Sequence, residues 1–448
     1  MGLRVRSCEG RSVQTMKTAG RVIGGLHQRP EYNEPIQGLR PELARFNDKI
    51  WPADCDLKEL ENELTPIFST DFERQTWLVE MSDDTLIEVA YDRGFIETNQ
   101  GHVDICEIEL ELVKGDEKQL FILGYEIAAL PSVRLGNVSK AQRGYMLADN
   151  TTFQVKSLSH SPVISTMSVE QALLTNMQHG LRHIQYHENC YIESLQDDAL
   201  NELLTGLKFL HQNLKLFMQL SPSLLKAQWI EDLHWLARTF SWLDERLTYH
   251  NLFENKGYYL RKLPKFKSLL SKLEELDETL PSQKTILELL TSTRYCQFIL
   301  KLTQWLILFE KSTFSSEKTN SINDFACEQL NSSWQELKVA LNSNEENQLL
   351  SYQGLLESNL LVGLSVGNLF PPEKRVVFRS PWLDIKQGLK ELAMINVIAD
   401  IAEQEADTER QSEYYKWIKR KEESLLHALE QSKEQALLKV PYWYNQID

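Results

Sequence analysis

An α+β protein is expected, with charged antiparallel strands over residues 1–150, a polar linker at 151–168 and an all-helical bundle over 169–448. Two patterns lead there. In the first third, polar and apolar side chains alternate with a period of two, which is how a strand shows opposite faces to different surroundings. Beyond residue 168 the apolar repeat lengthens to 3.6, as in amphipathic helices. A chain of 448 residues can form two or three domains, each with its own core.

The elements follow in order. Leu3 to Arg6 alternates at once, with Arg4 and Arg6 on one face; a turn at Glu9-Gly10 leads to residues 13–17, where Thr15 and Lys17 share a face. Together these predict a hairpin. Gly20, Gly24 and Gly25 punctuate the next connection, and alternation over 26–32 puts His27, Arg29 and Glu31 together. A polar insertion over 34–66 contains one helix, opened by Asp56 with Glu59 three residues on and running to Leu64. Strands return at 72–79, with Arg74 and Thr76 on one face, and at 86–92, with Glu88 and Asp92 on one face.

Residues 106–113 read Cys-Glu-Ile-Glu-Leu-Glu-Leu-Val, so Glu107, Glu109 and Glu111 form one face of a strand and Ile108, Leu110 and Leu112 the other. Carboxylates spaced about 6.6 Å along a strand repel by roughly 2–3 kcal/mol per neighbouring pair at an effective dielectric of about 20. Either that face lies in water, or it lies in a cavity where a divalent cation and basic neighbours compensate it. Mg²⁺ and Mn²⁺ favour such oxygen donors. Asp116 then caps a helix through residue 130, and a last segment, 133–147, carries Lys140 and Arg143.

Strand after strand thus places charge of both signs on one face. In a sandwich that is the wet side. In a closed antiparallel barrel it is the lining, with the outer face packed on helices and neighbours. Arginines, lysines and a few carboxylates in one lumen suit a phosphate chain carrying a divalent metal. The glycine-rich fingerprints of ordinary nucleotide-binding folds are absent from the sequence.

Composition narrows the classes further. A net charge of −16 argues against a general nucleic-acid binder, though not against a local basic pocket. Six dispersed cysteines, with no Cys-x-x-Cys pair, fit reduced thiols better than a disulfide framework. Neither a membrane-spanning apolar run nor a secretory h-region is present, and a cytoplasmic location is expected.

Five strings occur in order: Gly-Leu-Arg-Val-Arg at 2–6, Thr-Met-Lys-x-Ala-Gly-Arg at 15–21, Gly-Gly-Leu-His-Gln-Arg-Pro-Glu-Tyr-Asn at 24–33, the acidic strand, and Ser-Lys-Ala-x-Arg-Gly-Tyr at 139–145. With them the first 150 residues resemble the CYTH domain of triphosphate tunnel metalloenzymes. The whole chain is similar to bacterial inorganic triphosphatases in which a CHAD helical domain follows. The resemblance implies an antiparallel β tunnel that hydrolyses tripolyphosphate with Mg²⁺ or Mn²⁺. By position, Arg4, Arg6, Lys17, Arg29 and Arg74 match the basic lining and Glu107 and Glu109 the metal-binding acid pair. Lys140 and Arg143 match the C-terminal basic motif. The acid preceding the pair is either Glu88 or Asp92. The family's first strand, Glu-x-Glu-x-Lys, is not in the chain, so an incomplete tunnel is expected, and with it the alternative of a phosphate-binding or interaction protein without turnover.

The remaining residues divide into helices over 169–195, 199–220, 224–246, 265–276, 284–310, 322–342, 346–366, 382–403 and 408–432, with Pro222, Pro264, Pro281 and Pro371-Pro372 between them. His179, His183 and His187 share one helical face. That row reads as a metal site or, much more often for such a pattern, as a polar stripe where elements meet. The 199–220 helix offers only Lys208, His211 and Lys215 among acids and leucines. That is sparse for the polyphosphate binding the CHAD resemblance implies, and it points to scaffolding or a protein partner.

Overall fold

The computed structural model describes residues 2–52, 54–218, 228–254, 263, 266–311, 321–342, 352–404 and 408–444. The chain divides into two units, Met1–Thr152 and Phe153–Asp448.

In the first unit, β1 (Gly2–Cys8) and β2 (Arg11–Lys17) form the expected hairpin. Its two-residue turn puts Glu9 and Gly10 at φ 51 and 77, the doubly left-handed geometry whose twist matches the flanking strands. A short hairpin follows, β3 (Arg21–Ile23) with β4 (Leu26–Gln28), and then β5 (Glu31–Ile36), which pairs with the other side of β2. The predicted 26–32 strand is therefore broken. Arg29 and Pro30 connect β4 to β5, and Pro30 has no N–H to give to a ladder. The chain there passes close to Gly20, where a methyl group would fall 2.4 Å from the Gln28 carbonyl oxygen.

The insertion is tied to the back of this sheet. The buried Gln14 amide donates to Glu42 O (2.8 Å) and accepts from Glu42 N–H (2.9 Å), beside buried Leu43 and Phe46. Asp56 caps α1 (Leu57–Glu63) as its position predicts, accepting from the N–H groups of Lys58 and Glu59.

The second set of strands is a meander, β6 (Ser69–Glu80), β7 (Leu86–Thr98) and β8 (Gly101–Lys114), each longer than its alternating core. Two helices follow, α2 (Lys118–Ala128) and α3 (Lys140–Ala148); the second packs on β7 and β8. The unit is thus built of antiparallel sheets. Among the described residues these are three separate sheets, β1-β2-β5, β3-β4 and β6-β7-β8, not one continuous hydrogen-bonded barrel. The expected cover on the outer face is also partial: Trp77 is 50% and Ile108 38% exposed.

The second unit is helical: α4 (Val169–Ser194), α5 (Asp197–Phe217), α6 (Trp229–Thr239), α7 (Leu243–Glu254), α8 (Phe266–Glu278), α9 (Gln283–Leu290), α10 (Thr293–Lys311), α11 (Ile322–Asn342), α12 (Gln353–Val366), α13 (Pro372–Glu403) and α14 (Thr408–Leu438). Helices α4, α5, α10 and α12 pack on one another, while α7, α8, α13 and α14 share a separate core around Leu273, Ile398 and Trp417. No described helix is long and apolar enough to cross a membrane.

Two predicted helices are split and others shift at one end, α14 running six residues past residue 432. The 224–246 helix is two, interrupted at residues 240–242, and its start lies outside the described residues. The 284–310 helix breaks at Thr291 and Ser292, whose hydroxyls donate to the carbonyls of Leu287 (2.9 Å) and Leu289 (2.7 Å) and so compete with the helical ladder. The predicted 382–403 helix starts ten residues earlier, at Pro372, and runs through Pro381. Phe378 and Trp382, one turn apart, both pack against Trp334, with ring centres 5.0 and 4.8 Å away. That packing outweighs the roughly 3 kcal/mol cost of an internal proline.

Residues 153–163 form neither helix nor strand, yet several of their backbone groups pair with side chains of the helices. Tyr186 exchanges hydrogen bonds with both backbone groups of Gln154 (3.2 and 3.0 Å). Lys156 N–H donates to His187 Nε2 (3.3 Å), Leu158 N–H to Glu202 (3.2 Å), and His179 Nε2 bonds Ser159 O (3.0 Å). The histidine row is therefore the polar stripe on which this segment lies, and each ring is committed. His183 pairs with Glu202 at 3.0 Å, and His187 Nδ1 donates to His183 O at 2.9 Å. Burial lowers His187 to about 4, keeping it neutral so that Nε2 can accept.

Candidate active site

Register builds the site. Across the meander Arg74 stands opposite Asp92, and Asp92 opposite Glu107; one row on lie Thr76, Ala90 and Glu109. With two-residue alternation, Arg74, Asp92, Glu107 and Glu109 all project from one face. Lys140 and Arg143 reach that face from the first turns of α3, where Ser139 Oγ accepts from Gln142 N–H (3.2 Å). A methyl group at Gly144 would meet the Phe68 ring at 2.5 Å, so the lack of a side chain there lets α3 sit close.

Asp92 is fully buried and held on three sides. Arg74 grips it bidentately at 2.7 and 2.7 Å, and Lys140 reaches it at 2.7 Å. Lys140 also bonds Glu107 and, at 2.9 Å, Glu109, while Arg143 bonds Glu107, and Arg74 bonds Glu109 at 2.6 Å. Three carboxylates thus meet three cations. Burial alone would raise the Asp92 and Glu109 carboxyls, but hydrogen bonds from Arg74 and Lys140 outweigh it and hold both below the usual range. Burial would likewise lower the Lys140 ammonium, and its bonds to Asp92, Glu107 and Glu109 hold it high.

Arg74 and Lys140 also lie over the Phe72 ring, 5.7 and 5.4 Å from its centre. Phe72 is paired with Gly94, where a methyl group would fall 2.5 Å from the Phe72 Cα. Sequence reasoning passed over Phe72. The signal was available, since an aromatic two residues before Arg74 shares its face.

The hairpin sheet supplies the opposing charges. Arg4 pairs across to Thr15 and Gly2 to Lys17, so Arg4, Arg6, Thr15, Lys17 and Glu31 share a face. Burial lowers the Arg4 guanidinium, Arg6 and Arg74 push it the same way, and Glu31 and Glu109 oppose them; its buried Nε has no hydrogen-bond partner. Arg4 is thereby close enough to feel both Arg74 and Glu109 on the meander. Lys17 is ion-paired with Glu31. Burial lowers its ammonium, and Glu31 offsets part of that. Arg6 and Arg29 are exposed, and Arg29 reaches this region from the β4–β5 connection, not from a strand.

Glu88 is not drawn in. It lies opposite Leu78 and Glu111, two rows from Asp92 and about 13 Å along the strand. Between the two acids that sequence alone left open, the register brings Asp92 to Glu107 and Glu109. These three offer ligand atoms within 4.8 Å of one another, the one such cluster among the described residues. Three hard oxygen donors fit a divalent cation such as Mg²⁺ or Mn²⁺.

Comparison with known proteins bears on this architecture. The CYTH domain model matches residues 1–145 and the CHAD domain model residues 175–357. The chain carries a CYTH domain followed by a CHAD domain. The inorganic triphosphatase of Haemophilus influenzae is 38% identical over 154 residues, which span 33% of this chain and 41% of that protein. A crystal structure of the CHAD domain from the plant Ricinus communis aligns with 65% of this chain and 98% of its own, at 14% identity and a TM-score of 0.46.

Proposed function

We propose that this CYTH–CHAD chain is a metal-dependent triphosphatase that cleaves tripolyphosphate to pyrophosphate and phosphate. The observation that carries the reading is the meeting of Asp92, Glu107 and Glu109 with Lys140, Arg74 and Arg143 on one face, with Arg4 near by. The similarity to a protein named inorganic triphosphatase supports it.

In this reading Glu107 and Glu109, together with Asp92, would hold Mg²⁺ or Mn²⁺. When bound, the ion neutralises phosphate charge and polarises the terminal phosphoryl group. Lys140, now spent on the carboxylates, is freed to donate to phosphate oxygens, with Arg143 beside it. Arg4, Arg6, Lys17, Arg29 and Arg74 grip the rest of the chain, bidentately where a guanidinium faces two oxygens. Asp92 is buried and, besides offering an oxygen to the ion, would keep the Arg74 headgroup oriented. Glu109, 48% exposed, is better placed than Glu88 to orient the attacking water. Phosphoryl transfer needs little covalent help, so positioning and charge supply most of the rate.

The test is phosphate release from tripolyphosphate by the purified chain with Mg²⁺ or Mn²⁺, compared with Glu107→Ala. Metal-dependent release that the variant lacks is the expected result; wild-type release by the variant overturns the site. A second reading, binding without turnover, is favoured by the full mutual pairing of the acids and cations. Calorimetric binding of tripolyphosphate with no release of phosphate would establish it.

A further inference from the structure

Phe72 brings to the site neither charge nor hydrogen bond, yet two of the site's cations meet on it. It stands two residues before Arg74 on β6 and so shares its face. The row it belongs to is Phe72, Gly94 and Ile105. Gly94 adds no side chain to that row. A methyl group there would fall 2.1 Å from Asp71 O and 2.6 Å from Phe72 Cβ, so β6 can carry Phe72 at this spacing only with a glycine opposite. Ile105, which is buried, completes the row.

The Lys140 ammonium lies 5.4 Å from the centre of the ring and the Arg74 guanidinium carbon 5.7 Å from it. Both are within the range at which the negative face of an aromatic ring attracts a cation. The two cations come from different elements, β6 and α3, and besides the ring they share two carboxylates, Asp92 and Glu109.

Ring and carboxylates are not equivalent partners. A carboxylate holds a cation by taking its N–H donors, and its oxygens are the same ones a divalent ion would take. The ring attracts the charge without using up donors, and it has no oxygen to give to a metal. Once the acids turn to a metal and the N–H groups to phosphate, the attraction to Phe72 is the part of the present arrangement that persists. We propose that Phe72 is a positioning residue, whose ring face keeps the Lys140 and Arg74 headgroups in place while their donors pass from the acids to the substrate. The inference rests on the triphosphatase reading above. A cation over a partly desolvated ring accounts for about 5- to 30-fold in affinity, which sets the scale of the effect.

The experiment separates the charge of the ring from its shape. In the full chain Phe72 is replaced by phenylalanines carrying one, two and three ring fluorines, which stay close to the original size and drain negative charge from the face step by step. Phe72→Leu removes the face altogether. With Mg²⁺ or Mn²⁺ present, kcat/KM for tripolyphosphate should fall with each fluorine, by roughly tenfold in all, while the melting temperature of the chain stays constant. Phe72→Leu should fall as far as the trifluorinated ring. A flat series beside a loss in Phe72→Leu would make the ring packing alone and overturn the proposal, as would a loss that follows the melting temperature instead of the fluorine count. If the unsubstituted chain releases no phosphate, the triphosphatase reading fails by itself. The series is then read in the calorimetric affinity for tripolyphosphate, with the same stepwise loss expected and a flat series overturning the role of Phe72. An unsubstituted chain that neither binds nor cleaves tripolyphosphate overturns both.

Discussion

Both units carry a periodic row of ionisable side chains on one face, and they use it in opposite ways. The acid row of β8 meets Lys140, Arg74 and Arg143, side chains whose donors can be given to other oxygens. The histidine row of α4 meets the backbone of residues 153–163 and one fixed carboxylate. A ring that satisfies a backbone N–H or carbonyl is structural, because releasing it leaves that group unsatisfied. A carboxylate held by a lysine can give it up to a metal and a phosphate without such a loss. Periodicity reveals the row; the kind of partner decides whether it is free to do chemistry.

The largest expected effect sharpens the first half of that contrast. Arg74→Met leaves the buried Asp92 carboxylate without its bidentate partner, and should cost about 3–5 kcal/mol in urea unfolding followed through the CYTH unit. A loss under about 1 kcal/mol would mean that Asp92 does not depend on Arg74. Next, Lys140→Met should slow phosphate release by roughly 100- to 1000-fold, whereas His183→Gln should leave turnover within about twofold. Equal losses in both would erase the distinction between the rows.

Acid tests the histidine row itself. The native pKa of His187 is about 4, below its unfolded value near 6.5, so between these values the unfolded chain binds the proton that the native chain refuses. Stability of the helical unit is therefore full above about pH 6.5 and falls as pH drops toward 4, by up to about 3 kcal/mol from this group. His160 shifts the same way. His187→Gln should flatten the pH dependence of the helical circular dichroism melt; an unchanged slope would remove His187 from the account. Smallest, Tyr186→Phe deletes the hydroxyl that holds Gln154 and should cost about 1 kcal/mol with no change in turnover.

Much of this was legible in the residues. The Glu9-Gly10 turn, the Asp56 cap and the single-faced charges of β1, β2 and β8 follow from local rules, and the structure repeats them. What local rules could not supply was register. Glu88 and Asp92 share a face equally well in sequence, and only the pairing of Asp92 with Arg74 and Glu107 separates them. Arg29 left its predicted strand because Pro30 interrupts the ladder. The internal Pro381 shows the converse: a stop signal overridden by Phe378 and Trp382, whose packing partner Trp334 lies about fifty residues away. The 153–163 segment looked like a free linker because its anchors are side chains on helices distant in sequence.

The most direct test is a crystal structure of the chain with Mn²⁺ and tripolyphosphate, the metal located by its anomalous signal. Mn²⁺ within about 2.5 Å of carboxylate oxygens of Asp92, Glu107 and Glu109, with Lys140 turned from those acids to phosphate oxygens, is the predicted result. Mn²⁺ bound elsewhere, or phosphate bound while Lys140 keeps all three carboxylates, would contradict it.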